Sequence, residues 1–246
     1  MVDPIFAEPR LAEIYDAHDA DRSDLDVYAA MVDEMGARTV LDIGCGTGTF
    51  ACLLARRGIE VTAVDPAAAS LEVARRKPGA DRVRWVPGEA TALPPLQVDM
   101  AVMTGNVAQV FLGDDDWASV LRSARAALRP GGVVVFEVRD PAREGWQEWN
   151  RAASRRRIEV PGVGAVESWV DLTDVAPPLV SFRWAFVFEA DGTTLTSGST
   201  LRFRSRDDVL ASLVAADLVV QEIRDAPDRP GRELVFVATR PDARGD

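Results

Sequence analysis

The sequence predicts an α/β protein: a doubly wound, mostly parallel seven-stranded sheet with a C-terminal antiparallel strand, plus an antiparallel β insertion acting as a cap. Three observations predict it. Short apolar runs alternate with helical patterns between residues 37 and 140, the order that gives parallel strands joined by right-handed crossovers. The first run ends in alternate glycines, Gly44, Gly46 and Gly48. A two-residue periodicity then replaces the helical one between residues 141 and 204.

In chain order, residues 9–36 read as two short amphipathic helices broken at Asp19-Ala20-Asp21-Arg22. Ser23 with Asp26 has capping-box spacing for the second helix, whose stripe is Val27, Tyr28, Met31, Val32 and Met35 before Gly36. Thr39–Ile43 is the first strand, followed by a helix over Phe50–Arg57. Glu60–Val64 is the second strand and ends at Asp65-Pro66, with a helix from Ala67 to about Lys77. Val83–Val86 is a third strand. Val98–Met103 is a fourth, apolar on both faces as a buried parallel strand should be. Asp114–Asp116 cap a helix through Leu128 that carries Trp117, Val120, Leu121 and Ala124 on one side. Arg129-Pro130-Gly131-Gly132 stops it, and Val133–Val138 is the fifth strand.

A helix is predicted near Arg143–Arg157, then extended segments. Phe182, Trp184, Phe186 and Phe188 share one face, and Ser181, Arg183 and Glu189 the other. Asp191-Gly192 marks a hairpin turn before Leu195–Arg204. Ser205 and Asp208 form a second capping box for a helix reaching about Asp217. Val219–Ile223 and Leu234–Thr239 close the chain as antiparallel neighbours, because Asp225–Arg232 is short for a helical crossover. The domain reading is a helical cover over 1–36, a core over 37–140 and 205–246, and a cap over 141–204.

Composition narrows the function. The chain has 246 residues, 47% hydrophobic, with a formal net charge of −11. That balance argues against a nucleic-acid binder, which needs a basic face. Arg155, Arg156 and Arg157 form a local basic cluster and read as a solvated helix end. Two cysteines, Cys45 and Cys52, build neither a disulfide framework nor a zinc site, so a cytoplasmic setting and no metal are expected. The N-terminus lacks an apolar signal region, and no uncharged stretch is long enough for a bilayer. Lys77 is the only lysine, and with heavy alanine use this is the coding bias of a GC-rich bacterial genome.

Chemistry concentrates in Val40-Leu41-Asp42-Ile43-Gly44-Cys45-Gly46-Thr47-Gly48. Glycines there let the backbone turn and approach a ligand, and the N–H groups of the next helix face it. Asp65, at the tip of the following strand, is spaced to accept hydrogen bonds from a ribose diol. A dinucleotide fingerprint, G-x-G-x-x-G, fits less well: its third glycine falls on Thr49, one place after Gly48.

This segment resembles the first motif of class I S-adenosylmethionine-dependent methyltransferases. The similarity continues through Asp65-Pro66, Gly88–Pro94, Val98-Asp99 and Leu128–Gly132. The resemblance implies S-adenosyl-L-methionine as cofactor and methyl transfer to an N, O or C nucleophile of a small molecule. It implies that Gly44 and Gly46 line the methionine part, with Asp42 near its amino group. Asp65 would bind the ribose hydroxyls and Pro66 pack on adenine. Glu89, where the family usually has Asp, would meet the adenine amino group, with Ala90 beside it. Thr104, Gly105 and Asn106 would border the sulfonium and the incoming nucleophile, and Tyr15 would sit over the cofactor carboxylate. Tyr15 equally reads as a helix-packing tyrosine.

Other residues stay open. Cys45 reads as a small filler of the turn, since no base accompanies it. His18, the only histidine, reads as a solvated helix end rather than a general base. Glu137 and Arg139 lie where ligands gather in open α/β sheets; they are substrate-contact candidates together with Trp146, although Glu137 and Arg139 also read as a structural pair. Trp146, Trp149 and the Phe182–Phe188 stripe are either a pocket roof or plain core. No catalytic residue is assigned. A monomer or homodimer acting on a small molecule, without nucleic acid or membrane, is the expectation. The rival readings are an NAD(P)-dependent oxidoreductase and a catalytically silent cofactor-binding scaffold.

Overall fold

The computed structural model describes residues 2–242 and holds two sheets. The larger is built from β1 (Thr39–Ile43), β2 (Glu60–Asp65), β3 (Val83–Pro87), β4 (Val98–Met103), β5 (Leu128–Arg139), β10 (Val219–Asp225) and β11 (Glu233–Thr239). Their order is β10-β11-β5-β4-β1-β2-β3. Pairings from β5 through β4, β1, β2 and β3 are parallel, and β11 runs antiparallel to both β5 and β10. The seven-stranded sheet with its antiparallel strand is therefore as the alternating pattern predicts.

Burial explains why these segments are strands. In β4, Met100, Ala101, Val102 and Met103 are fully buried, so the strand is covered on both faces and carries no polar alternation. On one face lie α6 (Asp114–Ala127) and α8 (Arg206–Ala215), packing Trp117, Val120, Leu121, Val209 and Leu213 onto Leu41, Met103, Phe136 and Phe236. On the other lie α3 (Asp24–Glu34) and α4 (Thr49–Arg56), packing Tyr28, Met31, Val32, Phe50 and Leu54 onto Val61, Val102, Val135 and Val237. Trp117 also donates its indole N–H to Ser212 Oγ at 2.9 Å, tying α6 to α8.

The second sheet is antiparallel, in the order β6 (Arg156–Val160), β7 (Gly164–Ala176), β8 (Leu179–Phe188) and β9 (Thr194–Arg202). Gly192, at φ +70°, makes the β8–β9 turn that Asp191-Gly192 predicts. The N-terminal helices α1 (Pro4–Ala7) and α2 (Pro9–His18) bury Ile5, Leu11 and Ile14 against Phe186, Phe188 and Val166 of this sheet. On their other side they reach α5 (Ala68–Ala74), where Ser70 Oγ donates to the Phe6 carbonyl at 2.9 Å.

Three local expectations are corrected. Ser23 is already in helical geometry (φ −63°, ψ −21°) and its hydroxyl donates to Asp21 Oδ1 at 2.7 Å, so it caps nothing. The Arg143–Arg157 helix resolves into 3-10 turns and one helical turn, α7 (Arg151–Ser154). Chain beyond Arg155 is drawn into β6, which pairs with β7. Strand β5 begins at Leu128 rather than Val133, with a register shift opposite Val98 and Met100.

At Ser205 the capping box forms: Ser205 Oγ accepts from Asp208 N, and Asp208 accepts from the Ser205 backbone N–H. Ser205→Ala is expected to cost about 1 kcal/mol, read as a lower midpoint in urea unfolding with an unchanged slope.

Candidate functional site

The turn after β1 is held in place by backbone bonds from Gly44 N and Cys45 N to the Val64 carbonyl, at 2.9 and 3.2 Å. Its three glycines all have left-handed φ, at +71°, +51° and +73°. They differ in what a side chain would meet. A Cβ on Gly44 would stand 2.7 Å from both methyl groups of Val107, and one on Gly48 would stand 2.5 Å from the Trp85 ring. Close packing requires those two glycines. A Cβ on Gly46 would meet no protein atom within 4 Å, so Gly46 faces open space at the sheet's C-terminal edge.

Two carboxylates flank that space. Asp65, the last residue of β2, accepts from Gly46 N at 2.8 Å and from Ala67 N at 2.7 Å. It thereby braces the turn. Burial pushes its carboxyl up, while the two N–H donors hold it down. Asp42 is 1% exposed, and neither of its carboxylate oxygens has a hydrogen-bond partner among the described residues. Burial, and then the Asp65 charge, raise it to about 7; the Arg22 guanidinium opposes them. A buried carboxyl without a donor is costly by several kcal/mol. It fits a site shaped for a cationic or hydrogen-bonding group that the chain itself does not supply, such as the amino group of an aminoacyl nucleoside.

The turn after β4 has the same character. Asn106 is in left-handed geometry (φ +63°). Its backbone N–H donates to Glu137 Oε1 and its Nδ2 to Glu233 Oε1 at 3.3 Å. Its Oδ1 is buried without a partner among the described residues. Thr104 is half-buried beside it and Gly105 exposed at φ +73°. On the β2–β3 side, Pro66 and Glu89 are exposed and Ala90 is buried. Tyr15 of α2 packs its ring 5.4 Å from Phe6, and burial raises its hydroxyl to about 12, with Asp19 adding to the shift.

The remaining candidates part company. Glu137 is 2% exposed and does not pair with Arg139, contrary to the structural-pair reading. It accepts from Tyr28 Oη at 2.5 Å and from Asn106 N, and burial raises it to about 7. Arg139 lies instead 3.6 Å from Glu233. His18 is 6% exposed rather than solvated. It is held by Ser168 Oγ at 3.0 Å and by Arg156, and burial followed by the Arg156 charge lowers it to about 3. A ring so depressed is neutral at ordinary pH. Arg155 caps the end of α7 as the helix-end reading has it, whereas Arg156 and Arg157 open β6. Arg155 and Arg157 form exposed ion pairs with Glu167, Glu159 and Glu189, and Arg156 turns onto His18. Trp146 is buried edge-on against Phe203, centroids 4.7 Å apart; the ring on the cavity wall is Trp149.

That cavity, of about 660 Å³, opens at the ends of β5 and β11, and its lining includes Arg139, Asp140, Arg143, Trp149, Arg229 and Glu233. Sequence reasoning missed three contributors. Tyr28 sits in the apolar stripe of α3 and looks like core; only its hydroxyl signals more. Glu233 opens a buried strand. Asp16, one residue past Tyr15, accepts from Thr47 and Thr49 hydroxyls at 2.7 and 3.2 Å and from Lys77 at 2.6 Å. Among the described residues no cluster of three or more His, Cys, Asp or Glu could hold a metal, and no helix is long and apolar enough to cross a membrane.

The fold and this crevice define a doubly wound nucleoside-binding protein with its ligand edge at the C-terminal ends of β1, β2 and β4. Residues 40–132 match the family model described as "Methyltransferase domain". The malonyl-[acyl-carrier protein] O-methyltransferase of Serratia marcescens is 31% identical over 185 residues, 73% of this chain and 67% of that protein. The cypemycin N-terminal methyltransferase of a Streptomyces species is 30% identical over 164 residues, 66% of this chain and 64% of its own. The matched region thus spans about two thirds of these curated relatives. Among solved structures, the CcbJ methyltransferase from Streptomyces caelestis is 24% identical with TM-score 0.73, covering 94% of this chain and 97% of that one; at that identity the likeness concerns the fold. The chain belongs to the class I S-adenosylmethionine-dependent methyltransferase family.

Proposed function

We propose that the protein moves a methyl group from S-adenosyl-L-methionine to an N, O or C nucleophile of a small molecule by in-line displacement. The observation that carries this reading is the Asp42 carboxyl, buried without a partner beside the open face of Gly46. Its chemistry fits the cofactor's amino group. Asp65 has an acceptor lone pair left on each oxygen after its two N–H bonds, which suits a ribose diol. Tyr15 and the N-terminal helices would cover the methionine end, and Glu89, Ala90 and Pro66 would flank the adenine. Residues 1–36 and 141–204 are read as the cover over the site.

Bound there, the cofactor supplies a methyl carbon on a sulfonium whose leaving group is a neutral thioether. The chain's task is to align the nucleophile behind that carbon and keep water out, which supplies on the order of 7–11 kcal/mol. Asn106 would serve this. Its backbone is fixed by Glu137 and its Nδ2 by Glu233, leaving Oδ1 free to accept an N–H or O–H of the acceptor and direct its lone pair. The free thiols of Cys45 and Cys52 support a reducing cytoplasmic compartment, and the two bacterial relatives support a bacterial source.

Asp65→Ala is expected to weaken S-adenosylhomocysteine binding by about 1–3 kcal/mol, the scale of lost hydrogen bonds to a charged group. Calorimetry on the folded variant checks it. Unchanged affinity removes Asp65 from the site, and tight nicotinamide binding without S-adenosylhomocysteine binding replaces the methyltransferase reading with an oxidoreductase.

A further inference from the structure

Asn106 bonds Glu233, Glu233 lines the 660 Å³ cavity, and one cation on that cavity's wall has donors to spare. Arg139, the last residue of β5, has a side chain only 24% exposed. Among the described residues its guanidinium makes one hydrogen bond, from Nη1 to Gln109 Oε1 at 3.1 Å. Glu233 lies 3.6 Å from its Nε, beyond hydrogen-bond range. That carboxylate is held more closely by Arg229 Nη1 at 2.8 Å.

The other charges around the cavity are matched. Arg232 is bidentate on Glu148 at 2.9 and 3.0 Å, Arg143 lies 3.8 Å from Asp140, and Arg229 also has Asp228 at 3.6 Å. Arg139 shares Glu233 with Arg229, and four of its five N–H donors make no hydrogen bond among the described residues. Trp149, with its ring 5.6 Å from the guanidinium carbon, gives the wall a flat apolar surface. An arginine stays charged in a protein, and its planar fork matches the two oxygens of a carboxylate or phosphate.

We propose that this cavity is the acceptor subsite and that the methyl acceptor carries an oxyanion, a carboxylate or a phosphate, gripped by Arg139. The word acceptor rests on the methyltransferase reading; the oxyanion site itself does not. Distance supports the placement. Strands lie about 4.8 Å apart and β5 is two places from β1. An anion at Arg139 therefore leaves the far end of a molecule about 10 Å long beside Asn106 and the glycine turn.

The test titrates benzoate, phenyl phosphate and the uncharged benzamide into the full chain, with and without saturating S-adenosylhomocysteine. At least one anion is expected to bind tenfold or more tightly than benzamide, and the stronger of the two tells carboxylate from phosphate. Arg139→Gln should erase the preference and Arg139→Lys retain part of it, since a point charge remains without the fork. S-adenosylhomocysteine affinity, measured separately, should not change in either variant. Equal binding of benzamide and both anions by the wild type, no anion binding, or a preference that survives Arg139→Gln overturns the proposal. An anion preference in a protein that fails to bind S-adenosylhomocysteine supports the subsite and removes the methyltransferase reading instead.

Discussion

Gly46→Val is expected to lower S-adenosylhomocysteine affinity by more than about 100-fold, about 2.7 kcal/mol, in a chain that still folds. The two halves of that outcome come from different facts. A non-glycine residue in left-handed geometry costs about 1–2 kcal/mol, which a domain with about 5–15 kcal/mol of stability survives. No protein atom stands within 4 Å of the new Cβ, so the core is untouched. The branched side chain instead fills the open space in front of Gly46, beside the Asp65 carboxylate that its N–H bonds. Gly48→Val would show the opposite pattern, because its Cβ would drive into Trp85 and Ala74 and damage packing first. Circular dichroism and calorimetry on the Gly46 variant separate the two effects, and wild-type affinity would place the ligand elsewhere.

The second large effect concerns stability. Glu137→Ala should cost about 3 kcal/mol, because it strands the buried Tyr28 hydroxyl and the Asn106 N–H together. The isosteric Glu137→Gln has a pH signature of its own. Glu137 normally ionises near 4.5 and is held at about 7 by burial, so between those values the folded chain keeps a proton that the unfolded chain has released. Stability then falls as pH rises through that window. The contribution is fully present below about 4.5 and gone above about 7. Asp42, raised from 3.8 to about 7, acts in the same direction in both proteins. Urea unfolding should therefore show the wild type losing ground to Glu137→Gln from pH 5 to 7.5. A constant difference across that range would mean Glu137 is ionised throughout.

What the sequence made legible was the part governed by local periodicity. β1 and β4 fall on Thr39–Ile43 and Val98–Met103 because strands buried on both faces must be continuously apolar. The Ser205 cap and the Asp191-Gly192 turn are likewise decided within four residues. Failures came where a distant segment competes for the same backbone or side chain. Chain after Arg155 has helical neighbours in sequence, yet β7 offers it a full ladder of hydrogen bonds. Ser23 has the spacing of a cap, but Asp21 takes its hydroxyl first. His18 ends a helix and so looks solvated; Ser168 and Arg156, more than a hundred residues away, close over it. Glu137 and Arg139, two apart on one strand, share a face and look like partners, but Tyr28 and Glu233 claim them separately. The glycine turn with Asp65 was readable because its chemistry is carried by backbone and by one strand tip. The acceptor side depends on β11 and the segment 140–149 meeting in space.

Helix α2 has an unusual pair of attachments. Through Asp16 it is fastened to the hydroxyls of Thr47 and Thr49 and to Lys77, beside the glycine turn; through His18, two residues on, it is fastened to β6 and β7 of the second sheet. Both attachments fall within the last three residues of the ten-residue helix, so a single helix end ties the glycine turn to the β6–β7 edge.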